Sequence, residues 1–203
     1  MSAQKEGQLT YFVSSALLLF LVMDPLGNIP LFLTATKSVA PNRRQKVIAR
    51  ELVISAFIMV AFFLVGGKLL QALHITQPAL AAGGGLILMF IAVKMVFPNP
   101  SAPLNQEVDG EPLIVPMAVP YMAGPSVLAT EVILAYQAGP HWLLLLGALL
   151  TAWLIGSIIL YCSGFLQRVI GDKAITAIER LMGMVLVLIS SQMLLEGIKD
   201  FFQ

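Results

Sequence analysis

The chain has little charge and almost no cysteine for its length. Of its 203 residues, 11% are Asp, Glu, Lys or Arg, whereas about 25% is usual in a soluble domain. The single cysteine, Cys162, excludes a disulfide within the chain and any metal site built from several cysteines. A net charge of +1 gives no basic field for nucleic acid. These deficits exclude a water-soluble globule, an internal disulfide and nucleic acid as a partner.

The short motifs that mark common enzymes are also absent. The sequence has no Walker loop, no GxGxxG after a strand, no HExxH and no Ser-His-Asp set. His74 and His141 have no second ligand at a spacing that would hold a metal. We therefore expect no enzyme activity, no metal and no cofactor, with a membrane enzyme as the alternative.

Apolar residues, in contrast, make up 58% of the chain and fall into six long runs. A membrane-spanning helix needs about 20 such residues to cross about 30 Å of hydrocarbon. The sequence therefore predicts an all-α membrane protein, with six transmembrane helices in a single integral membrane domain over residues 1–203. We expect the first run to be retained and not cleaved as a signal peptide. The runs are Leu9 to Thr36, Val47 to Gly66, Ala79 to Phe97, Leu113 to Ala138, Trp142 to Cys162 and Leu181 to Ile198.

Lys and Arg in the flanks of the runs predict the orientation, because short loops rich in these residues stay on the cytoplasmic side. One side of the predicted topology carries only Lys5, Lys68 and Lys199. The other side carries a larger set: Lys37, Arg43, Arg44, Lys46, Arg50, Arg168, Lys173 and Arg180. We therefore expect both termini to lie outside the cytoplasm.

The two halves of the sequence resemble each other. A shift of 98 positions aligns Gly85 with Gly183, and a shift of 97 aligns Gly27 with Gly124. Each half holds three spans, an odd number, so the second half enters the membrane from the opposite face, as in many secondary transporters. The predicted inverted repeats are residues 9–97 and 113–202, joined by a cytoplasmic linker of residues 98–112.

The first and fourth runs each contain a cluster of proline and glycine, in Met23 to Pro30 and in Pro116 to Ser126. Proline lacks an amide hydrogen and glycine permits left-handed backbone, so each cluster is expected to break its helix. Freed backbone groups cannot face lipid and have to be buried or line a cavity. Two breaks at matching places predict a substrate site at the repeat interface. Half-helix amide ends near Ile29 and Ser126 suit a carboxylate there, and open carbonyls suit an ammonium or a cation.

Polar residues beside the breaks are the candidate ligands. Asn28, Ser126 and Thr130 offer neutral hydrogen bonds, although Ser and Thr in a span also bond to their own backbone. Asp24 and Glu131 are candidates for proton coupling, because charges within a bilayer are costly and usually face the bundle interior. Capping of a helix start is the alternative for Asp24. The predicted substrate-binding residues are Asp24, Pro25, Gly27, Asn28, Gly124, Pro125, Ser126 and Thr130.

Two further patterns predict packing. Arg50 and Glu51, at the start of the second run, are expected to snorkel or to pair with another helix. Small residues bring helices close together in lipid, where the hydrophobic effect does not drive association. Such seams also allow a homo-oligomer. The small residues are Gly83, Gly84, Gly85 and Gly183, with Ala148, Ala152 and Gly156 spaced every four positions.

Several of these motifs together resemble the MarC family, also called UPF0056. They are the stretch from Asp24 to Pro30, the loop from Pro41 to Arg44, the glycines at 83–85, the segment from Pro116 to Ser126, and the stretch from Glu179 to Gly183. The resemblance covers nearly the whole chain. It implies an integral protein of the bacterial inner membrane with six helices, which places both expected termini in the periplasm.

The resemblance also implies a function. One branch of the family, the SnatA proteins, transports small neutral amino acids such as glycine and alanine, with coupling to protons. If this chain has the same role as these relatives, the resemblance implies that Asp24, Gly27 and Asn28 lie beside Gly124 and Ser126 around a small zwitterion. We therefore expect a secondary transporter of small neutral amino acids, with a lipid bilayer and a small solute as its partners. The alternatives are a passive channel and a membrane scaffold without transport.

Overall fold

A computed structural model describes residues 2–97, 113–114 and 117–202, and every regular element in these ranges is helical. The prediction of an all-α protein is thus confirmed for them. The predicted linker 98–112 and Pro116 lie outside the described residues. The elements are α1 (Ser2–Met23), α2 (Ile29–Ala35), α3 (Pro41–Ala72), α4 (Gln77–Val96), a π-helical turn (Met117–Met122), α5 (Pro125–Ala138), a 3-10 turn (Gly139–His141), α6 (Trp142–Tyr161), α7 (Ser163–Ile170) and α8 (Asp172–Phe201).

Five helical segments of the described chain are long and apolar enough to cross a membrane, whereas the sequence predicts six. The part of the fourth predicted run after its break and nearly all of the fifth run fall in one segment, Pro125–Tyr161. Gly139 divides that segment with a φ of +49°, a left-handed conformation that glycine adopts without strain. The five segments are Glu6–Met23, Pro41–Ala72, Pro78–Val96, Pro125–Tyr161 and Lys173–Phe201.

The surface of the helices is largely apolar. Within the five segments only 22–39% of the residues are buried inside the protein. Large side chains such as Phe57, Phe90 and Leu188 are more than half exposed. Monomeric soluble proteins do not expose apolar surface on this scale. The outer faces of the helices therefore require lipid around them.

Several helices extend beyond the apolar runs that predict them. Helix α3 has 32 residues, about 48 Å at a rise of about 1.5 Å each, which exceeds the roughly 30 Å of hydrocarbon. An apolar run marks only the part of a helix inside the hydrocarbon, while Lys, Arg and Glu at its ends are good helix formers. Helix α7 has no counterpart among the predicted runs, because its eight residues are too few to form one.

Proline fixes where four of the helices begin. Pro30, Pro41, Pro78 and Pro125 stand at the first or second position of α2, α3, α4 and α5. At these positions the missing amide hydrogen costs nothing, since helix starts have no internal acceptor for it, and the fixed φ suits the helix. Pro30 and Pro125, which belong to the clusters that break two of the runs, therefore also start the next helix.

Helix α4 packs closely against α8 through glycine. A Cβ added to Gly85 would lie 2.8 Å from the backbone nitrogen of Leu194 and 3.0 Å from the carbonyl oxygen of Ser190. A Cβ added to Gly183 would lie 2.9 Å from Met95 Cβ and 3.1 Å from the carbonyl oxygen of Ala92. The predicted packing role of these two glycines is therefore confirmed.

We predict that Gly85→Ala destabilises the protein by about 1–3 kcal/mol, because its Cβ meets backbone atoms that cannot rotate away. Gly83→Ala is the matched control, since a Cβ at Gly83 meets nothing within 4 Å. That control should be neutral or slightly stabilising, because Ala is the better helix former. Unfolding of the two purified variants in detergent tests the difference. Equal stabilities would contradict the close packing of α4 against α8 at Gly85.

Candidate functional site

The first break lies between α1 and α2 and is organised by Asp24. Its backbone has a φ of +44°, in the left-handed region where Asp is enriched. Its amide donates to the carbonyl oxygens of Phe20 and Leu21, each at 3.1 Å. Pro25 then prevents the helix from continuing. The Oδ1 atom of Asp24 accepts a hydrogen bond from the amide of Gly27 at 3.1 Å, so this buried carboxyl group caps the turn that follows.

Asn28 connects the two breaks. Its Nδ2 group donates to the carbonyl oxygen of Met23 at 2.9 Å, within the first break, and to that of Tyr121 at 2.8 Å, within the second. Asn28 is only 9% exposed, so neither carbonyl depends on bulk water for its partner. The ring of Tyr121 also lies 6.4 Å from that of Phe32 on α2. Residues 93 positions apart are thus held together at the predicted place.

The second break combines a π-helical turn with an extended residue. Val119 has φ −130° and ψ 128° inside the turn, and the amide of Ala123 donates to the carbonyl oxygen of Ala118 at 2.8 Å. Gly124 is extended, with φ −75° and ψ 160°, before α5 begins at Pro125. Residues that precede proline favour this extended conformation. Helix geometry is therefore lost at both of the predicted clusters.

Small residues allow the two breaks and α6 to approach. A Cβ added to Gly156 on α6 would lie 3.2 Å from Met122 Cε in the second break and 3.4 Å from Pro25 Cβ in the first. A Cβ added to Gly27 would overlap the carboxyl group of Asp24 and Met95 Cε. The two breaks and α6 are therefore packed so closely at Gly27 and Gly156 that larger residues at these positions would displace their neighbours.

The other predicted site residues differ in burial: Ser126 and Thr130 are buried, whereas Pro125 is exposed. Ser126 and Thr130 are buried, and Thr130 Oγ1 donates to the carbonyl oxygen of Ser126 at 2.8 Å, which is the backbone bonding expected as the alternative. Thr130 also lies 3.9 Å from the sulfur of Met193 on α8. Pro125 is exposed and lines an outer groove with Phe62, Leu69 and Leu80. Pro125 therefore faces outward and not toward the first break.

Two buried glutamates differ in their partners. Glu131 on α5 is 1% exposed, and neither of its carboxyl oxygens has a hydrogen-bond partner among the described residues. Glu51 on α3 is fully buried, and its Oε1 lies 2.9 Å from Arg50 Nη2. Its Oε2 accepts the amide of Ile114 at 2.7 Å. Glu51 thus pairs with its own neighbour on α3 and with the non-helical segment before the second break, whereas the sequence predicts pairing with another helix.

Glu51 and Tyr121 are the site residues that sequence reasoning missed. Ile114 has a φ of +62°, a strained conformation for a β-branched residue, and the Glu51 carboxyl group holds it there. Only the sequence signal of an acidic residue inside an apolar run pointed to Glu51. Tyr121 contributes a carbonyl oxygen, which any residue type has, so no side-chain pattern could have identified it.

With this geometry in place, comparison with known proteins gives the family. A protein-family sequence model described as "MarC family integral membrane protein" matches residues 9–202. The chain belongs to the MarC family. The resemblance of its motifs is therefore confirmed, and this MarC-family chain is an integral membrane protein.

Named relatives match over nearly their whole length. A "UPF0056 membrane protein" of Buchnera aphidicola (from Schizaphis graminum) is 43% identical over 94% of this chain and 97% of its own length. The "UPF0056 inner membrane protein YhgN" of Escherichia coli K12 is 42% identical over 92% of this chain and 95% of its own. A UPF0056 membrane protein of Chlamydia pneumoniae is 30% identical over 92% of this chain and 93% of its own. No solved structure matches this MarC-family chain.

We predict that Asn28→Leu destabilises the protein by about 2–4 kcal/mol, because two buried carbonyl oxygens lose their donor and each such loss costs about 1–3 kcal/mol. Asn42→Leu is the control, since Asn42 is exposed at the start of α3. Detergent unfolding of the purified variants measures the loss. If both variants lost the same stability, the Asn28 link between the breaks would not be structural.

Proposed function

We propose that this protein is a secondary transporter of small neutral amino acids, of the glycine and alanine class, with its substrate site between the two breaks. The observation that carries the proposal is the Asn28 bridge, which joins the first break to the Tyr121 carbonyl of the second. Broken helices that meet at a repeat interface form the binding sites of many secondary transporters. The chain in this proposal is a carrier and not an enzyme, and it needs no metal or cofactor.

The proposed architecture is six spans in two inverted three-helix repeats, residues 9–97 and 113–202, within one membrane domain. The close contact of α4 with α8 at Gly85 and Gly183, which we call the glycine seam, supports this architecture. Gly85 meets Ser190, Met193 and Leu194, while Gly183 meets Ala92, Met95 and Val96. The shift of 98 positions that aligns Gly85 with Gly183 also aligns Ala92, Met95 and Val96 with Ser190, Met193 and Leu194. The two glycines therefore have equivalent contacts in the two halves. The packing of the other helices agrees with this symmetry. Helices α1 and α5 begin the two proposed repeats and α3 and α6 follow them, and α1 packs against α6 just as α5 packs against α3.

The proposed location is a bacterial inner membrane with both termini in the periplasm. The imbalance of Lys and Arg in the flanks supports the orientation. The printed name of the Escherichia coli relative, an inner membrane protein, supports the membrane. In this orientation the ends of α2 and α7 face the cytoplasm, together with Lys37 and Arg168.

The proposed substrate is a small zwitterion because of what the breaks offer. Unwound backbone provides carbonyl oxygens for an ammonium group, and the amide end of the 14-residue helix α5 suits a carboxylate. A Cβ at Gly27 or Gly156 would meet its neighbours closely, and we propose that Gly124 bounds the same site. In the proposed set, Asp24, Pro25, Asn28, Ser126 and Thr130 complete the site, with Pro125 acting only by starting α5.

We propose that a proton is the coupling ion and that Asp24 or Glu131 carries it. Glu131 has no hydrogen-bond partner among the described residues, and an ionised carboxylate buried in that way is costly. Asp24 uses Oδ1 as a cap, which leaves its other oxygen for a proton or an ammonium group. The two carboxyl groups lie on the two broken helices, one in each proposed repeat.

Uptake of labelled glycine and alanine into proteoliposomes of the purified protein tests the proposal. We expect saturable uptake that increases when a proton gradient is imposed. Flux without saturation or coupling would indicate a passive channel. No flux in vesicles that hold folded protein would reject the transporter and favour a scaffold.

We predict that Gly124→Leu abolishes this uptake, at least about tenfold, while the protein still inserts and folds. The extended backbone of Gly124 is open to any residue, so the substitution changes volume and not backbone conformation. Gly67→Leu is the control, because a Cβ at Gly67 meets nothing within 4 Å. Normal transport by folded Gly124→Leu protein would remove Gly124 from the site.

Asp24→Asn and Glu131→Gln separate the two coupling candidates, because each change preserves shape and removes the proton-binding group. Asn at position 24 still offers an oxygen to the Gly27 amide, so folding should be retained. We expect the variant that lacks the coupling group to bind glycine and to lose the dependence of uptake on the proton gradient. Gln192→Glu, on exposed α8 surface, is a charge-changing control. Unchanged coupling in both variants would contradict the proposal.

A further inference from the structure

One buried methionine reaches from the glycine seam to the first break. Met95 lies near the end of α4. A Cβ added to Gly183 on α8 would lie 2.9 Å from Met95 Cβ, so the backbone end of this side chain is held where the two helices touch. Its other end is at the first break, because a Cβ added to Gly27 would overlap Met95 Cε. A single side chain therefore joins the seam to the break.

The methyl group of Met95 lies beside the carboxyl group of Asp24. The Cβ added to Gly27 would overlap Asp24 Oδ2 as well as Met95 Cε, so both atoms face the same side of this glycine. The other carboxyl oxygen, Oδ1, accepts the amide of Gly27 at 3.1 Å and caps the turn. An apolar methyl group thus borders the Asp24 oxygen that does not serve as the cap.

The second half of the chain has an equivalent methionine, Met193 on α8. The shift of 98 positions that aligns the two seam glycines also aligns Met95 with Met193. A Cβ added to Gly85 would lie 3.1 Å from Met193 Cβ, and the Met193 sulfur lies 3.9 Å from Thr130 Oγ1 on α5. Each methionine starts at the glycine of the opposite helix and ends at the broken helix of its own half. The backbone of the seam therefore directs both side chains.

The chemistry of an α-amino acid gives the position of Met95 a consequence. The side chain of such a solute is attached to the same carbon as its ammonium group. An ammonium group bound at Asp24 Oδ2 therefore brings the solute side chain against the Met95 methyl group. Glycine and alanine add at most one carbon atom there, whereas a longer or branched side chain has to displace the methionine. Methionine is flexible and fills irregular gaps, so its end can yield to a small solute.

We propose that Met95 sets the size limit for the side chain of the solute at the site between the breaks. Its methyl group occupies the position beside the Asp24 carboxyl group that the side chain of valine or leucine would need. Met193 does not set this limit, because its sulfur lies at a threonine hydroxyl and not at a carboxyl group. The assignment rests on the proposed transport function for the identity of the solute.

Selectivity between small and large amino acids tests the assignment. Uptake of labelled glycine, alanine, valine and leucine into proteoliposomes of the full-length protein gives Vmax/KM for each solute. We expect Met95→Ala to raise the ratio of valine to glycine at least about tenfold, since one methylene in an apolar pocket changes such ratios by about 10-fold to 200-fold. Met193→Ala is the matched control, because it removes the same atoms at the equivalent position, and it should keep the selectivity of the unsubstituted protein.

A milder variant and a binding measurement complete the test. Met95→Val removes the end of the side chain but keeps its bulk near the backbone, so it should fold even if Met95→Ala does not, and it should raise the same ratio by a smaller factor. Thermal unfolding of each purified protein in detergent, with and without glycine or valine, reports binding independently of transport, because a ligand that binds only the folded state raises its stability. Valine should stabilise the Met95 variants and not the Met193 variant.

Two results would overturn the size limit. One is an unchanged ratio of valine to glycine in folded Met95 variants that take up glycine, which would leave the transporter standing. The other is an equal rise of this ratio in Met193→Ala, which would assign the effect to a loosened seam. Stabilisation of the Met95 variants alone by valine, without uptake by any protein, would retain the size limit and reject the transporter. Neither uptake nor stabilisation in any protein would reject both proposals.

Discussion

A helix that unwinds inside a membrane has to find partners for its freed backbone groups, and the centre of this protein depends on that constraint. Lipid offers no hydrogen bonds, so each open carbonyl needs a donor from the protein or from enclosed water. Asn28 supplies two such donors, one to the Met23 carbonyl and one to the Tyr121 carbonyl. A side chain of the first break therefore satisfies an open carbonyl of the second. A motion that separated the two breaks would have to replace the hydrogen bond from Asn28 to the Tyr121 carbonyl oxygen.

Glycine acts differently in the seam and at the breaks. In the seam, Gly85 and Gly183 bring backbone against backbone, so α4 and α8 form a rigid pair with little side-chain freedom between them. Beside the breaks, Gly156 faces the methyl group of Met122 and the ring of Pro25, and Gly27 faces the carboxyl group of Asp24 and the methyl group of Met95. Methionine adapts to irregular spaces more readily than branched side chains. Backbone atoms thus close the contact between α4 and α8, whereas side chains, some flexible and some rigid, surround the glycines beside the breaks.

The sequence predicted the features that depend on local chemistry. Proline and glycine clusters located both breaks, and apolar runs located the helices, because backbone constraint and hydrophobicity are properties of single segments. Helix ends were predicted poorly, since α3 begins at Pro41 and not at Val47: a polar turn remains helical outside the hydrocarbon. The Asn28 contact with Tyr121 and the outward position of Pro125 were beyond prediction, because they depend on how two distant segments are oriented.

Glu51 and Glu131 show why burial alone does not identify a functional carboxyl group. Both are buried almost completely and both stand in apolar runs, so burial does not distinguish them, and only the nearby helix break makes Glu131 the coupling candidate in the sequence. Glu51 has an arginine on one oxygen and the Ile114 amide on the other, and losing either partner would leave a buried charge uncompensated. Its position is therefore explained by the segment that it holds. Glu131 has no such partner among the described residues. An ionised carboxylate buried in that way is costly, so under the proposed transport function Glu131 is the carboxyl group that is available to exchange a proton.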